Sequence, residues 1–320
     1  MKRYKLLSLI CGVALVLDAG AKGWAQVSAG IVNYEKVALL KWYPANQTTS
    51  FPVGEFPYGL AFDGANVWVA NSGSATVSKL RAADGANLGS FSVGLEPIAL
   101  AFDGANVWVA NEFDNTVSKL RAADGATLGT FPVGQSPHFL AFDGSNIWVA
   151  NFNSFNVSKL RAADGVNLGN FQLVDQPWGL AFDGANIWVT NLGNGYVTKL
   201  RAADGTNLGT FSVGHFPEGV AFDGANIWSA NAGSNSVSKL RATDGANLGT
   251  FAVGNSPGVV AFDGANIWVT NEGDNTVTKL RGADGANLGT FPVGHYPRGV
   301  AFDGANIWVT SYFDGSVSKL

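Results

Sequence analysis

Cysteine is all but missing from this chain: among 320 residues there is one, Cys11, and it falls within the first 25. A disulfide framework and a cysteine-based metal site are therefore excluded for the remainder, whose stability must come from packing. Methionine is confined to Met1 and histidine to three positions. Past residue 25, no run approaches the roughly 20 consecutive apolar residues of a membrane helix. Charge is thin as well, at 14% of residues, with a formal net charge of −4. Four bases and one acid in the first 25 residues contribute +3, so residues 26 to 320 carry −7. Such a chain suits neither nucleic acid nor an anionic membrane as partner. Familiar catalytic strings are lacking too: no G-x-S-x-G, no H-E-x-x-H and no phosphate loop. The repeated Asp-Gly pairs lack the D-x-D-x-D-G spacing of a calcium loop.

What is there begins with a leader. Lys2, Arg3 and Lys5 precede the apolar run LLSLICGVALVL, and Gly23-Trp24-Ala25 puts small residues where a signal peptidase reads. Residues 1–25 thus have the pattern of a bacterial secretory signal peptide, with a short signal anchor as the alternative. Export to the periplasm, the cell surface or the medium is the expectation. Residues 26–320 are long enough to bury one large core.

Self-similarity dominates that remainder. The string AFDG begins at 61, 101, 141, 181, 221, 261 and 301, a period of 40 with no insertion. One unit reads PYGLAFDGANVWVANSGSATVSKLRAADGANLGSFSVG. It holds four short runs rich in Val, Ile, Phe, Trp and Thr, broken by Gly, Asn and Asp-Gly, and none is long enough for a helix. Four strands per 40 residues describe a propeller blade. Strand a is placed at 59–64, b at 66–71, c at 76–82 and d at 88–93, with Asp63-Gly64 and Asp84-Gly85 as hairpin turns. Strands a and b are apolar on both faces, as in a sheet covered by two neighbours. Trp68 and its equivalents to Trp308 read as packing between blades, an aromatic ligand stack being the alternative. The lysines and arginines of strand c read as a solvated outer stripe, and Asn71 and its equivalents as caps of the b–c loop.

The fold class follows: an all-β, seven-bladed propeller of four-stranded antiparallel blades, forming one domain over residues 26–320. The last unit stops at Leu320, after strand c, while NQTTSFPVG at 46–54 matches the outer-strand segment ANLGTFPVG. The N-terminal segment should close the ring by supplying that strand; a truncated reading frame is the competing account. The strand-like VALLKWYP at 37–44 has no slot in this scheme and is expected to cover an edge.

Units such as IWVTNEGDNTVTKL followed by GTFPVGHYPRGVAFDG resemble the YVTN family of β-propeller repeats, with IWVTN or IWVAN at the name-giving tetrapeptide. The likeness runs through all seven units and implies the fold, together with an exported or surface role of no assigned chemistry. A looser similarity links the proline loop and DG-ended strand to NHL-type propellers and to streptogramin lyases, where histidine and glutamate of the loop face work with a divalent metal. His138 and Glu218 stand at such positions, but IWVAN departs from the acidic ending of the lyase repeats, so no catalytic role transfers.

The repeats differ in one place above all. After the loop proline stand Tyr58, Ile98, His138, Trp178, Glu218, Gly258 and Arg298. Topology gathers the d–a and b–c loops on one face, and these vary, while the FDGAN and AADG turns of the other face barely change. The varied face carries Glu55, Glu96, Glu112, Asp114, Asp175, Glu218, Glu272, Asp274 and Asp314 against Arg298, together with all three histidines, His138, His215 and His295. Nine acids against one base give −8 there. That is an acidic bowl with aromatic rims, suited to a small polar or cationic ligand, a glycan or a protein partner; free drift of surface loops is the competing explanation. A catalytic reading would pair His138 with Glu218, and a metal reading would place calcium, magnesium or zinc between His215 and Glu218. No cofactor is required by the sequence, and a monomer is expected. Two functions stay open: a non-enzymatic binding propeller, and a metal-assisted lyase or hydrolase.

Overall fold

The computed structural model describes residues 49 to 320. The expected signal peptide and VALLKWYP lie outside the described residues. The first blade is built from β2 (Pro57–Phe62), β3 (Asn66–Asn71), β4 (Thr76–Arg81) and β5 (Asn87–Ser92), paired antiparallel in that order. The same order recurs at 40-residue intervals through five more blades, ending at β25 (Asn287–Pro292). The seventh blade holds β26 (Pro297–Phe302), β27 (Ile307–Ser311) and β28 (Ser316–Lys319), and its fourth strand is β1 (Thr49–Pro52). Residues Thr49 to Pro52 pair antiparallel with Lys319 to Ser316, so the ring closes as the sequence requires. Strand a begins two residues earlier than the Gly-first reading, at the proline itself, and a bulge follows it in every blade. Among the described residues no helix is long and apolar enough to cross a membrane.

Packing lies between blades. Trp68, fully buried, joins Ala70 and Val77 of its own blade to Leu100, Val107, Val109 and Leu120 of the next. The closing seam repeats this, with Trp308 and Val317 against Val67, Val69 and Leu80, and Phe51 packed alongside. Each tryptophan contributes about 5 kcal/mol of burial as an upper bound. The indole also has a fixed polar partner. Trp68 Nε1 donates to Asp63 Oδ2, and the same bond recurs in all seven blades at 2.7–2.8 Å. The Asp-Gly aspartate therefore anchors the core as well as turning the chain.

The reading of strand c as a solvated stripe holds for its arginines and fails for its lysines. Arg81 and Asp84, both about half exposed, form a surface ion pair at 2.9 Å. Lys79, by contrast, is 7% exposed, with Nζ 5.0 Å from the Trp68 ring centroid. It donates across the seam to the carbonyls of Ala122, at 2.6 Å, and Ala123, at 3.2 Å. Lys119, Lys159, Lys199, Lys239 and Lys319 do the same, Lys319 reaching Ala82 across the closure. A blade is covered on both faces, so alternation along strand c does not lead to solvent.

Candidate functional site

The varied loops do share one face, and hydrogen bonds tie them into a continuous rim. Ser72 N donates to Phe56 O at 3.0 Å and Gly73 N to Glu55 O at 3.1 Å, joining the b–c loop to the d–a loop before it. Val53 N donates to Gly315 O at 2.9 Å, joining that d–a loop to the preceding blade. Asn71 works between the loops and does not cap its own. Its Oδ1 accepts the Gly54 amide at 3.1 Å, while Nδ2 donates to Thr76 Oγ1 and Ser78 Oγ. A β-carbon on Gly54 would come within 2.7 Å of the Asn71 side chain, hence the glycine. The Gly254 amide makes the same bond to Asn271 Oδ1, while the fourth blade has Val174 in place of the glycine, standing 88% exposed.

Three aspartates of the b–c loops have local structural partners. Asp114, Asp274 and Asp314 accept the amides of Leu95, Asn255 and His295 at 2.7–2.8 Å. Ser74, Ser154 and Ser234 accept the equivalent amides of Glu55, Gln135 and His215 in other blades. Asp114 and Asp274 thus hold loops in shape whatever else they meet. Asp314 also bonds the exposed His295 ring at 2.8 Å.

The residues after the proline form the inner ring, and four of them, His138, Trp178, Arg298 and, across the closure, Tyr58, meet the residue at the start of the preceding blade's b–c loop, 26 positions earlier in the repeat. His138 Nε2 lies 3.0 Å from Glu112 Oε1. Arg298 Nη1 donates to Glu272 Oε1 at 2.9 Å and Nη2 to the Tyr296 hydroxyl at 3.2 Å. The guanidinium also lies over the rings of Tyr296, at 4.5 Å, and Tyr58, at 5.0 Å. Trp178 meets Phe152 edge-on at 5.5 Å, with His138 4.2 Å from the indole. Tyr58 meets Tyr312, again edge-on, at 6.1 Å. Gly258 leaves room for Glu272 Oε1 of its own blade, which lies where a β-carbon would press against it. Acid sits with base and ring with ring. Sequence comparison of equivalent positions missed this, although the covariation at a spacing of 26 was present to be read.

The pairing does not extend to every position of the ring. Glu218 has Leu192, not a base, 26 residues before it, and among the described residues no side chain donates a hydrogen bond to its carboxylate. Burial, and secondarily the Glu272 charge, raise its pKa to about 8 against a partial counter-effect from Arg298. Glu272 is raised by burial, with Arg298 and Tyr296 pulling it back. Burial raises Tyr58 well above its ordinary value, opposed by Arg298 and assisted by Glu272, Glu218 and Glu112. Glu96 is raised by burial and by Glu112, with His138 acting against both.

The catalytic pair expected from sequence is not assembled: His138 takes Glu112 and Trp178, whereas Glu218 responds to Glu272 and Arg298. Nor is the metal pair. His215 is exposed on its loop, and it is not among the groups that act on Glu218. Among the described residues no three His, Cys, Asp or Glu side chains come together to hold a metal ion. Beneath the ring lies a narrow cavity of about 110 Å³, lined by Tyr58, Ile98, Leu100, Phe139, Val260 and Val300 with Arg298 at its edge. Outside the ring, two open grooves of about 390 and 290 Å³ share Glu96 and Phe113, the first bounded by Phe56, Leu95 and Tyr312.

No protein-family model matches the chain, and no curated protein matches it in sequence. Solved structures do resemble it in fold. A selenomethionine-substituted virginiamycin B lyase from Staphylococcus aureus is 17% identical with a TM-score of 0.73, covering 85% of this chain and 98% of that one. A streptogramin B lyase gives 18% identity and a TM-score of 0.73, covering 85% and 96%. The hydrazine synthase of Kuenenia stuttgartiensis gives 18% and 0.73, covering 86% and 97%. At these identities the likeness establishes the β-propeller fold alone.

Proposed function

We propose that this protein is an exported β-propeller of the YVTN kind, acting as a non-enzymatic binding scaffold whose rim and channel mouth take the ligand or partner. One observation carries the reading. Phe56, Phe155 and Phe216 stand at least 40% exposed on the rim while their backbones are held at φ of 49–55°. That left-handed region is unfavourable for bulky side chains, and such strain clusters at ligand-binding surfaces. Phe113 and Phe313 extend the aromatic rim at 71% and 63% exposure. The same left-handed turns recur in other blades at Glu96, Ser136, Ser256 and Tyr296 before the proline and at Asn115, Asn235 and Asn275 closing the b–c loop. What supports the reading is therefore that Phe56, Phe155 and Phe216 put a bulky, exposed apolar side chain where smaller or polar residues serve. A metal-assisted lyase in the manner of the similarly folded enzymes needs His138 or His215 to share a reacting atom with Glu218, and His138 is already committed to Glu112.

The test is an array of immobilised glycans and basic peptides probed with the protein from residue 26. Phe113→Ser with Phe313→Ser should abolish whatever binding is seen, and Ala83→Ser on the opposite face should leave it unchanged; the reverse pattern overturns the reading. Export is tested by N-terminal sequencing of the secreted form, which should begin at Gln26.

A further inference from the structure

We propose that the groove running over the rim from Tyr312 to Asn153 binds a short, neutral oligosaccharide of equatorially substituted pyranose rings. This rests on the binding-face reading and names the ligand class for one sector of that face. The two open grooves of about 390 and 290 Å³ meet at Glu96 and Phe113, which line both. Each is near the lower end of the range for small-molecule sites, about 300–1,000 Å³. A chain of linked sugar rings laid along both grooves would pass over Phe113.

Aromatic groups set the first requirement. Phe113 is 71% exposed and takes no part in the ring pairs formed by Phe56, Tyr296, Tyr312 and Phe313. Phe56 stacks on Tyr312 at 5.0 Å, so the first groove has an aromatic wall already in place. A pyranose with equatorial substituents presents a face of C–H bonds, slightly positive, to the negative face of such a ring.

Polar groups set the second. In the smaller groove Asn115 Oδ1 accepts the Ser136 amide at 2.8 Å, and Asn153 Nδ2 donates to Ser136 Oγ at 2.6 Å. These bonds fix both side-chain amides. They leave Asn115 Nδ2 and Asn153 Oδ1, a donor and an acceptor, without partners among the described residues, and the side-chain amide of the exposed Gln135 is likewise unbonded there. Glu96 adds acceptors to both grooves. A hydroxyl both donates and accepts and so meets all of these groups, whereas an ammonium or guanidinium only donates and would leave the amide donors unpaired. An acidic sugar is opposed: no base lines either groove, and Glu96 is already raised by burial and by the Glu112 charge.

Isothermal titration of the chain from residue 26 with cellotetraose and chitotetraose tests this, with tetragalacturonate and tetralysine as charged counterparts. Saturable binding of at least one neutral tetrasaccharide is expected, and none of tetragalacturonate. Phe113→Ser should weaken it about tenfold or more, as when a central aromatic contact is removed. Gln135→Ala with Asn153→Ala should weaken it about tenfold, on the scale of two neutral hydrogen bonds. Phe313→Ser lies outside both grooves and should leave the affinity unchanged, with melting curves showing each variant folded. No binding of either neutral sugar, equally tight binding of tetragalacturonate, or undiminished binding by the Phe113 or the double amide variant overturns the proposal. Binding of tetralysine alone overturns it too and makes the occupant a basic peptide. The binding-face reading survives these outcomes, since it is judged by Phe113→Ser with Phe313→Ser against Ala83→Ser on the full array.

Discussion

A single carboxylate in each repeat decides how the tryptophan is held. Asp143 accepts from the Trp148 indole, from Asn146 and from the amides of Ser145 and Asn146. Burial alone would raise its pKa, but these donors outweigh burial, and all seven such aspartates lie below their usual value. Their contribution is therefore present above about pH 4 and lost as pH falls through the lowered values. Asp143→Asn turns an acceptor into an amide that cannot serve both the indole and the backbone. It should cost about 2 kcal/mol, the range for hydrogen bonds to a charged group, read as a lower urea midpoint; an unchanged midpoint would reduce the aspartate to a turn former. Glu218 works in the opposite sense. Its pKa rises on folding from 4.5 to about 8, so the native state holds the proton more tightly across that window. Stability should fall as pH rises between those values and level off above them. Glu218→Gln should remove this slope, matching the parent near pH 5 and melting higher near pH 9. Equal melting of the two at pH 9 would show that the carboxyl is solvated.

At the scale of the strand, two neighbouring bases on β4 behave differently. Lys159 and Arg161 are two residues apart in the equivalent strand of the third blade; one spans the seam to Ala202 and Ala203, and the other bonds Asp164 in solvent. Lys159→Met leaves two carbonyls at the seam without their donor and should cost about 2 kcal/mol, whereas Arg161→Ala should stay within about 0.5 kcal/mol. Lys279 supplies an internal control. It lies over Trp268 but has no such carbonyl partner among the described residues, so Lys279→Met should cost less than Lys159→Met. Equal denaturant midpoints for all three would remove the clamp from the argument. The contrast also explains what was legible beforehand. Strand positions and ring closure could be read because Asp-Gly turns and apolar runs are local signals, and NQTTSFPVG repeats a known unit. The buried lysines could not, because alternation marks solvent only when one face of a sheet is open. The inner ring was legible as a set of positions, but its partners were not. Contacts such as Glu112 with His138 join unlike positions of neighbouring units, and aligning like with like hides them.

The whole molecule depends on a seam between residues far apart in sequence. Six blades are each closed by a hairpin-connected outer strand, but the seventh relies on β1 pairing with β28, on Phe51 packing 5.5 Å from Trp308, and on Lys319 reaching Ala82. Without β1, β28 would be an unpaired edge and Trp308 would lose its aromatic cover, a template for association. The register pairs Ser50 with Ser318. Opposed residues in an antiparallel ladder lie about 4.5–5.5 Å apart at Cα, within the roughly 4.4–6.8 Å span of a disulfide. Ser50→Cys combined with Ser318→Cys, in a chain that begins at residue 26 and so has no other cysteine, should oxidise readily. The crosslink closes a loop of nearly the entire propeller, so the oxidised form should gain about 2–4 kcal/mol over the reduced form. The gain acts on the unfolded chain and requires the ends to be paired in the native state. Oxidised and reduced proteins unfolding at the same denaturant concentration, or cysteines that crosslink only between molecules, would mean that β1 does not complete the seventh blade. The seven variable positions would then no longer be held around a common channel.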